Sequence, residues 1–235
     1  MRILKNTTLW LILYALVITG VFLYVLFPSE LALRQLENAS SAFSCVLKAD
    51  ALRPSVPLGF RLKDLTVRAL QPPADVLFQG EVLDVQFNPF RMFGKHQSIS
   101  FSGEAYGGRF RGEAGFASLL RPDLPVEGSL RFKDIDLVRW ALHGFPVFRG
   151  MSGKVRGSLD YHAAGGGPNA SGKLSIFLTR GTYPLPEPFL GVTRIEFDRG
   201  EIQANLKHET VTVEKFELYG TQVNCFLTGD IQLQD

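Results

Sequence analysis

Two stretches decide the fold: VEGSLRF (Val126–Phe132) and VRGSLDY (Val155–Tyr161). In each, Val, Gly, Leu and an aromatic ring alternate with charged or hydroxyl residues. A period of two is the mark of a strand that buries one face and wets the other. The same alternation runs through Ile99/Phe101/Gly103/Ala105, Phe110/Gly112/Ala114/Phe116, Gly172/Leu174/Ile176/Leu178, Ile202/Ala204/Leu206 and Val223/Cys225/Leu227/Gly229/Ile231. Roughly ten to a dozen such strands predict a mainly β chain built as an antiparallel sheet. Phase slips at Lys63-Asp64 and between Val82 and Leu83 predict bulges. Gly107-Gly108 and Arg199-Gly200 read as hairpin turns.

The phrase apolar-x-Gly-x-apolar recurs around Gly80, Gly103, Gly112, Gly128, Gly157, Gly172 and Gly229 at irregular intervals, so it is no fixed-length solenoid. Each glycine falls in phase with the apolar residues and so occupies an inward position. Glycine there weakens a strand, and three readings offset the loss. The sheet curls sharply, another backbone or helix approaches closely, or an apolar ligand lies along the concave face. On the last reading Val126, Gly128, Leu130, Val155, Gly157, Leu159, Leu174 and Ile176 line an apolar groove. The predicted fold is a strongly curved, elongated sheet, open as a groove or folded into a sandwich, with one or two short helices for cover. Asp136 is placed to cap one of these, over Leu137–Ala141. The other follows Ser29-Glu30, with Leu31, Leu33 and Leu36 on its apolar stripe.

Before the strands, Leu9 to Phe27 is 19 residues without a charge, which predicts a transmembrane helix. Leu9, Trp10, Tyr24 and Phe27 mark its ends, the aromatic rings suiting the two interfaces. No small-residue cleavage site follows, so the segment reads as an uncleaved anchor. Arg2 and Lys5 precede it, which places the N-terminus in the cytoplasm and the rest outside it. The expected organisation is a cytoplasmic tail (1–8), a span (9–27), a juxtamembrane helix and linker (28–57) and a β domain (58–235).

The chain carries 25 Lys and Arg against 23 Asp and Glu, a net charge of +2. Arg2 and Lys5 account for that excess, so no basic field remains to grip a nucleic-acid backbone. No nucleophile elbow, phosphate loop, zinc-protease motif or paired-cysteine motif occurs. The four histidines lack metal-ligand spacing, and Asp134-Ile-Asp136 reads as a capping pair rather than a metal site. No catalytic residue, metal or cofactor is expected. Cys45 and Cys225 read as two small buried hydrophobes rather than a disulfide.

The short tail, single span, Phe-Pro and short helix at Glu30–Leu36, with the C-terminal patterns KVRGSLDY, GKLSIFLTRGTY, RIEFDRGEIQA and FLTGDIQLQD, resemble type II secretion system protein N (GspN-like) proteins. They also resemble the wider AsmA-like group. The first resemblance implies a non-enzymatic inner-membrane component of the machine that exports folded proteins, with its main domain in the periplasm and other secretion subunits as partners. The second implies a lipid-binding or lipid-transfer module, with phospholipid in an apolar β groove. The sequence stops on a strand-like run at Gly229–Gln234 without a closing element, so either a piece is missing or that edge pairs with another strand.

Overall fold

The computed structural model describes residues 7–40, 44–56, 58–70, 76–88, 97–116, 126–141, 150–163, 170–189, 191–207, 210–221 and 224–232. Helices α1 (Thr7–Val25) and α2 (Ser29–Ser40) precede strands β1 (Cys45–Lys48), β2 (Ala51–Ser55), β3 (Gly59–Ala69), β4 (Val76–Phe87), β5 (Gln97–Ala105), β6 (Gly108–Phe116) and β7 (Glu127–Asp136). A short helix α3 (Leu137–Ala141) leads to β8 (Ser152–Ala163), β9 (Ala170–Phe189), β10 (Val192–Lys207), β11 (Thr210–Tyr219) and β12 (Asn224–Gln232). All twelve strands belong to one antiparallel sheet. From β3 to β12 each strand pairs with the next in sequence, while β1 and β2 share the outer edge of β3. No second sheet packs on it among the described residues, so the sandwich alternative is not the arrangement found.

The register explains the inward glycines. Phe101 stands opposite Gly112, Gly103 opposite Phe110, Phe132 opposite Gly157 and Gly181 opposite Phe197. Each ring lies across the glycine it faces. A Cβ added to Gly112 would sit 2.4 Å from the Phe101 ring, one on Gly103 2.8 Å from Phe110, one on Gly157 2.7 Å from Phe132 and one on Gly181 2.6 Å from Phe197. The rings thus restore apolar contact that glycine gives up. The same phrase that weakens each strand by itself stabilises the pair.

A line of irregularities crosses the sheet near one end. Asp134 is an extra residue in β7 between the pairs Phe132–Gly157 and Ile135–Val155, with φ of 60°. Arg180 plays the same part in β9 opposite β8, with φ of 42°. Asp64 in β3 (φ 50°) is where Leu62 and Leu65, three residues apart, both turn inward. The bulges at Asp134 and Arg180 increase local twist. At Lys63-Asp64 the inward phase slips as expected, but the pairing with β4 keeps its register there and between Val82 and Leu83, so neither expected bulge is found. The main core holds Ala105, Ile135, Val155, Leu178, Phe197 and Leu218, with α3 delivering Leu137 at 0% exposure. Asp136 Oδ1 accepts the Val138 N–H at 2.9 Å, the expected cap.

A second core forms where α2 lies on the β1–β2 edge. Ala32, Leu33 and Leu36 pack with Phe27 against Leu52, Leu62 and Leu65. The helix ends at Ser40, whose hydroxyl donates to the Glu37 carbonyl (2.6 Å) and accepts the Leu47 N–H (3.0 Å). Leu31, expected on the apolar stripe, is 63% exposed.

Several expectations need correction. The sheet begins at Cys45, not near Leu58, because β1 and β2 are too short to show a period. Arg199-Gly200 is no turn: β10 runs through it, and Gly200 lies against Leu178 and Leu218. Cys45 and Cys225 are free thiols on opposite edge strands, β1 and β12, as the reading against a disulfide expects, but both are half-buried rather than buried. Among the described residues no helix is long and apolar enough to cross a membrane. The transmembrane helix expected over 9–27 is therefore not supported. The helix closes at Val25, and its side chains at 7, 8, 16, 23 and 25 lie outside the described set. Leu9, Trp10 and Tyr24 are half exposed on α1, whereas Phe27 turns away into the second core. The loop at 164–168 and three histidines, at 96, 143 and 208, fall outside the described residues.

The ring-over-glycine packing makes Gly112→Ala destabilising by about 1–3 kcal/mol, since the new methyl meets both Phe101 and the Ser129 carbonyl. Gly229→Ala, with nothing within 4 Å, changes stability by less than about 1 kcal/mol, in the stabilising direction. Urea unfolding of the two variants checks the contrast.

Candidate functional site: an apolar concavity

Side chains from β1, β3, β4, β5, β6 and β7, with Trp140 of α3, line one concavity of about 610 Å³. Strands are about 4.8 Å apart, so β3 and β7 share one hollow only because the sheet curls over it. Its floor is an aromatic run. Phe78 meets Tyr106 edge-on with ring centroids 6.0 Å apart and Phe110 edge-on at 5.6 Å, and Phe110 lies 6.4 Å from Phe101. Leu65, Val85, Ile99 and Leu130 complete the walls.

The one hydroxyl among these rings is satisfied. The Gln79 N–H donates to Tyr106 Oη at 2.9 Å, and burial pushes the Tyr106 phenol above its ordinary pKa. The hollow is therefore lined almost wholly by carbon, a surface suited to hydrocarbon and offering no nucleophile or general base. Among the described residues no group of three His, Cys, Asp or Glu side chains stands close enough to hold a metal ion. Asp134 forms a bulge and Asp136 a cap.

The residues expected to line a groove divide. Leu130, Leu159 and Leu174 form one cross-strand row, and Gly157 and Ile176 lie in the next. Of the eight, Leu130 alone lines the concavity. Val155 is 2% exposed in the main core, Gly157 is covered by Phe132, and Leu159 is 39% exposed beyond the rim. Val126 precedes β7, its N–H donating to Gly115 O and its carbonyl accepting the Ala163 N–H. A Cβ added to Gly128 would have a single atom, the Glu113 carbonyl oxygen, within 4 Å. The hollow therefore sits in the N-terminal half of the sheet, one side of the stretch expected. Alternation identified the inward residues, but which rows remain uncovered depends on where α2 and α3 pack.

On the opposite face, Arg109, Arg111, Arg131, Lys133 and Arg156 gather around a depression of about 1100 Å³ that Phe110, Phe132 and Phe177 also line. The signal was present in the sequence as two cation-Phe-cation triplets, Arg109–Arg111 and Arg131–Lys133. Their opposition is visible only once the register is known.

Tyr106→Phe keeps the ring stack and deprives the Gln79 N–H of its acceptor. It costs about 1 kcal/mol, read as a lower midpoint in urea with the far-ultraviolet spectrum unchanged. Compared with known proteins, the chain is matched by no protein-family description, no curated protein and no solved structure.

Proposed function

We propose that this chain is a non-enzymatic, membrane-anchored subunit of a type II secretion system, with its sheet in the periplasm, that binds another subunit of the machine along β12. The observation that carries this reading is the asymmetry of the two sheet edges. The β1–β2 edge is broken into strands of four and five residues, carries Lys48, Arg53 and Pro54, and has α2 packed over it. Those features prevent strand addition. Among the described residues the β12 edge has none of them. It offers nine residues, with Leu227, Ile231 and Phe226 between 56% and 63% exposed. Its one charge, Asp230, accepts the Thr212 hydroxyl at 2.6 Å. Such an edge accepts an extended segment through main-chain hydrogen bonds. The anchor rests on the 19 uncharged residues 9–27 and on the resemblance alone, since among the described residues no helix is long and apolar enough to cross a membrane. The resemblance to GspN-like proteins supplies the machine.

Deleting the gene is expected to lower export of folded proteins across the outer membrane. Complementing with Leu227→Lys and Ile231→Lys together fails to restore export, while stability changes by less than about 1 kcal/mol because both side chains are largely exposed. Normal export in either strain overturns the reading.

The concavity favours a second, compatible reading, an AsmA-like module that holds an acyl chain of a phospholipid. Its volume falls in the range of ordinary ligand sites, and its walls have no unmet polar group. Native mass spectrometry of the full chain released from detergent is expected to show copurifying lipid that Leu130→Asp removes. A lipid-free protein sinks the reading.

A further inference from the structure

Elsewhere in the sheet, charged side chains near one another find opposite partners. Arg61 Nε lies 2.7 Å from Asp84 Oδ1 on the neighbouring strand, and Lys215 Nζ lies 2.8 Å from Glu201 and 3.1 Å from Glu217. Where like charges face each other singly, as in Arg53–Arg61 and Glu201–Glu217, an opposite charge stands beside them, Asp84 for the first and Lys215 for the second. Strands β6 and β7 set like charges opposite twice in succession: Arg111 stands opposite Arg131, and Arg109 opposite Lys133. Like charges directly opposite destabilise a sheet. These four make a two-by-two block of cations on rigid backbone, all exposed. None of the four forms an ion pair with a described residue. On the flanking strands, Ser102 faces Arg111, Glu104 faces Arg109, and Ser158 faces Arg131. Arg156 adds a fifth cation, stacked 5.2 Å over the Phe177 ring. Asp84, the other acid at this depression, is already taken by Arg61.

We propose that this block is a binding site for a phosphate group. A guanidinium presents a planar fork of donors that matches phosphate oxygens in pairs. A tetrahedral dianion offers enough oxygens to meet cations from both strands at once, which the two oxygens of a single carboxylate do not. Glu104 faces Arg109, but Arg111 and Arg131 face only serines on the flanking strands, so the ligand supplies the negative charge this pair lacks and relieves its repulsion. The phosphate is that of a lipid headgroup or of a soluble phosphate compound. The site lies on the face opposite the apolar concavity, so it is independent of the acyl chain proposed there.

The test uses the full chain in neutral detergent micelles. Inorganic pyrophosphate is titrated against sodium chloride at matched ionic strength, and a parallel series dopes the micelles with phosphatidylglycerol. The readouts are the unfolding midpoint and hydrogen exchange of β6 and β7. The site predicts a saturable rise of a few degrees and slower exchange in these two strands with at least one phosphate source. A response to pyrophosphate assigns a soluble phosphate, and a response to phosphatidylglycerol alone assigns a headgroup. The variant carrying Arg111→Gln and Arg131→Gln should unfold no earlier than the parent without phosphate, because two opposed charges are gone, and should lose the response. An equal rise with chloride, no response to either source, or an undiminished response in the variant overturns the proposal.

Discussion

The structure depends on a reciprocal contact between a phenylalanine ring on one strand and a glycine on the next. A twelve-stranded sheet with three helices has more apolar face than the helices cover. Ordinary alternation of large residues on every strand would leave that face bulky and flat. Setting Phe101 over Gly112 and Phe110 over Gly103 lets the rings lie down along the sheet instead of standing away from it. The face remains carbon-rich but becomes thin, and the sheet is free to curl over the hollow between β1 and β7. In this respect the glycines form the concavity without lining most of it, their space being taken by rings.

A second constraint is the set of residues other than glycine in the left-handed region, among them Asp64, Asp134 and Arg180. A single residue of this kind costs free energy. At Asp134 and Arg180 the extra residue lies on either side of the Ile135–Val155–Leu178 row, and at Asp64 the inward phase changes so that Leu62 and Leu65 both enter the second core; Phe78 packs against both cores. The long hairpins thereby acquire a well-packed end. Toward the other end, Leu159 and Ile231 are exposed. The two edges differ in the same spirit: α2 and short broken strands close one, and β12 leaves the other bare.

Much of this architecture was legible in the residues. Alternation identified most strands, their inward sets and the phase slip at Asp64, and Asp136 was readable as a cap because a short acid preceded an apolar turn. Other features were not. A four-residue strand such as β1 is shorter than two periods, and Pro54 disguises β2. Arg199-Gly200 has the composition of a turn, yet Leu178 and Leu218 from both neighbours pack against Gly200 and hold β10 straight. Of the eight residues read as a groove, Leu130 alone lines the concavity. Alternation separates inside from outside but does not reveal which inward rows a helix covers. The cation block shows the same limit: Arg109, Arg111, Arg131 and Lys133 each look like an ordinary solvated position until register sets them in opposition.

The account stands or falls on the ring-to-glycine contact being an energetic coupling rather than a coincidence of register. The most direct measurement is a double-mutant cycle on Phe132 and Gly157 by urea unfolding, using Phe132→Leu, Gly157→Ala and the pair. Residues in contact couple by about 0.5–3 kcal/mol. The account predicts that the Gly157→Ala penalty falls by an amount in that range once the Phe132 ring no longer occupies the space above the glycine. Strictly additive effects, with Gly157→Ala costing the same in both backgrounds, would contradict it.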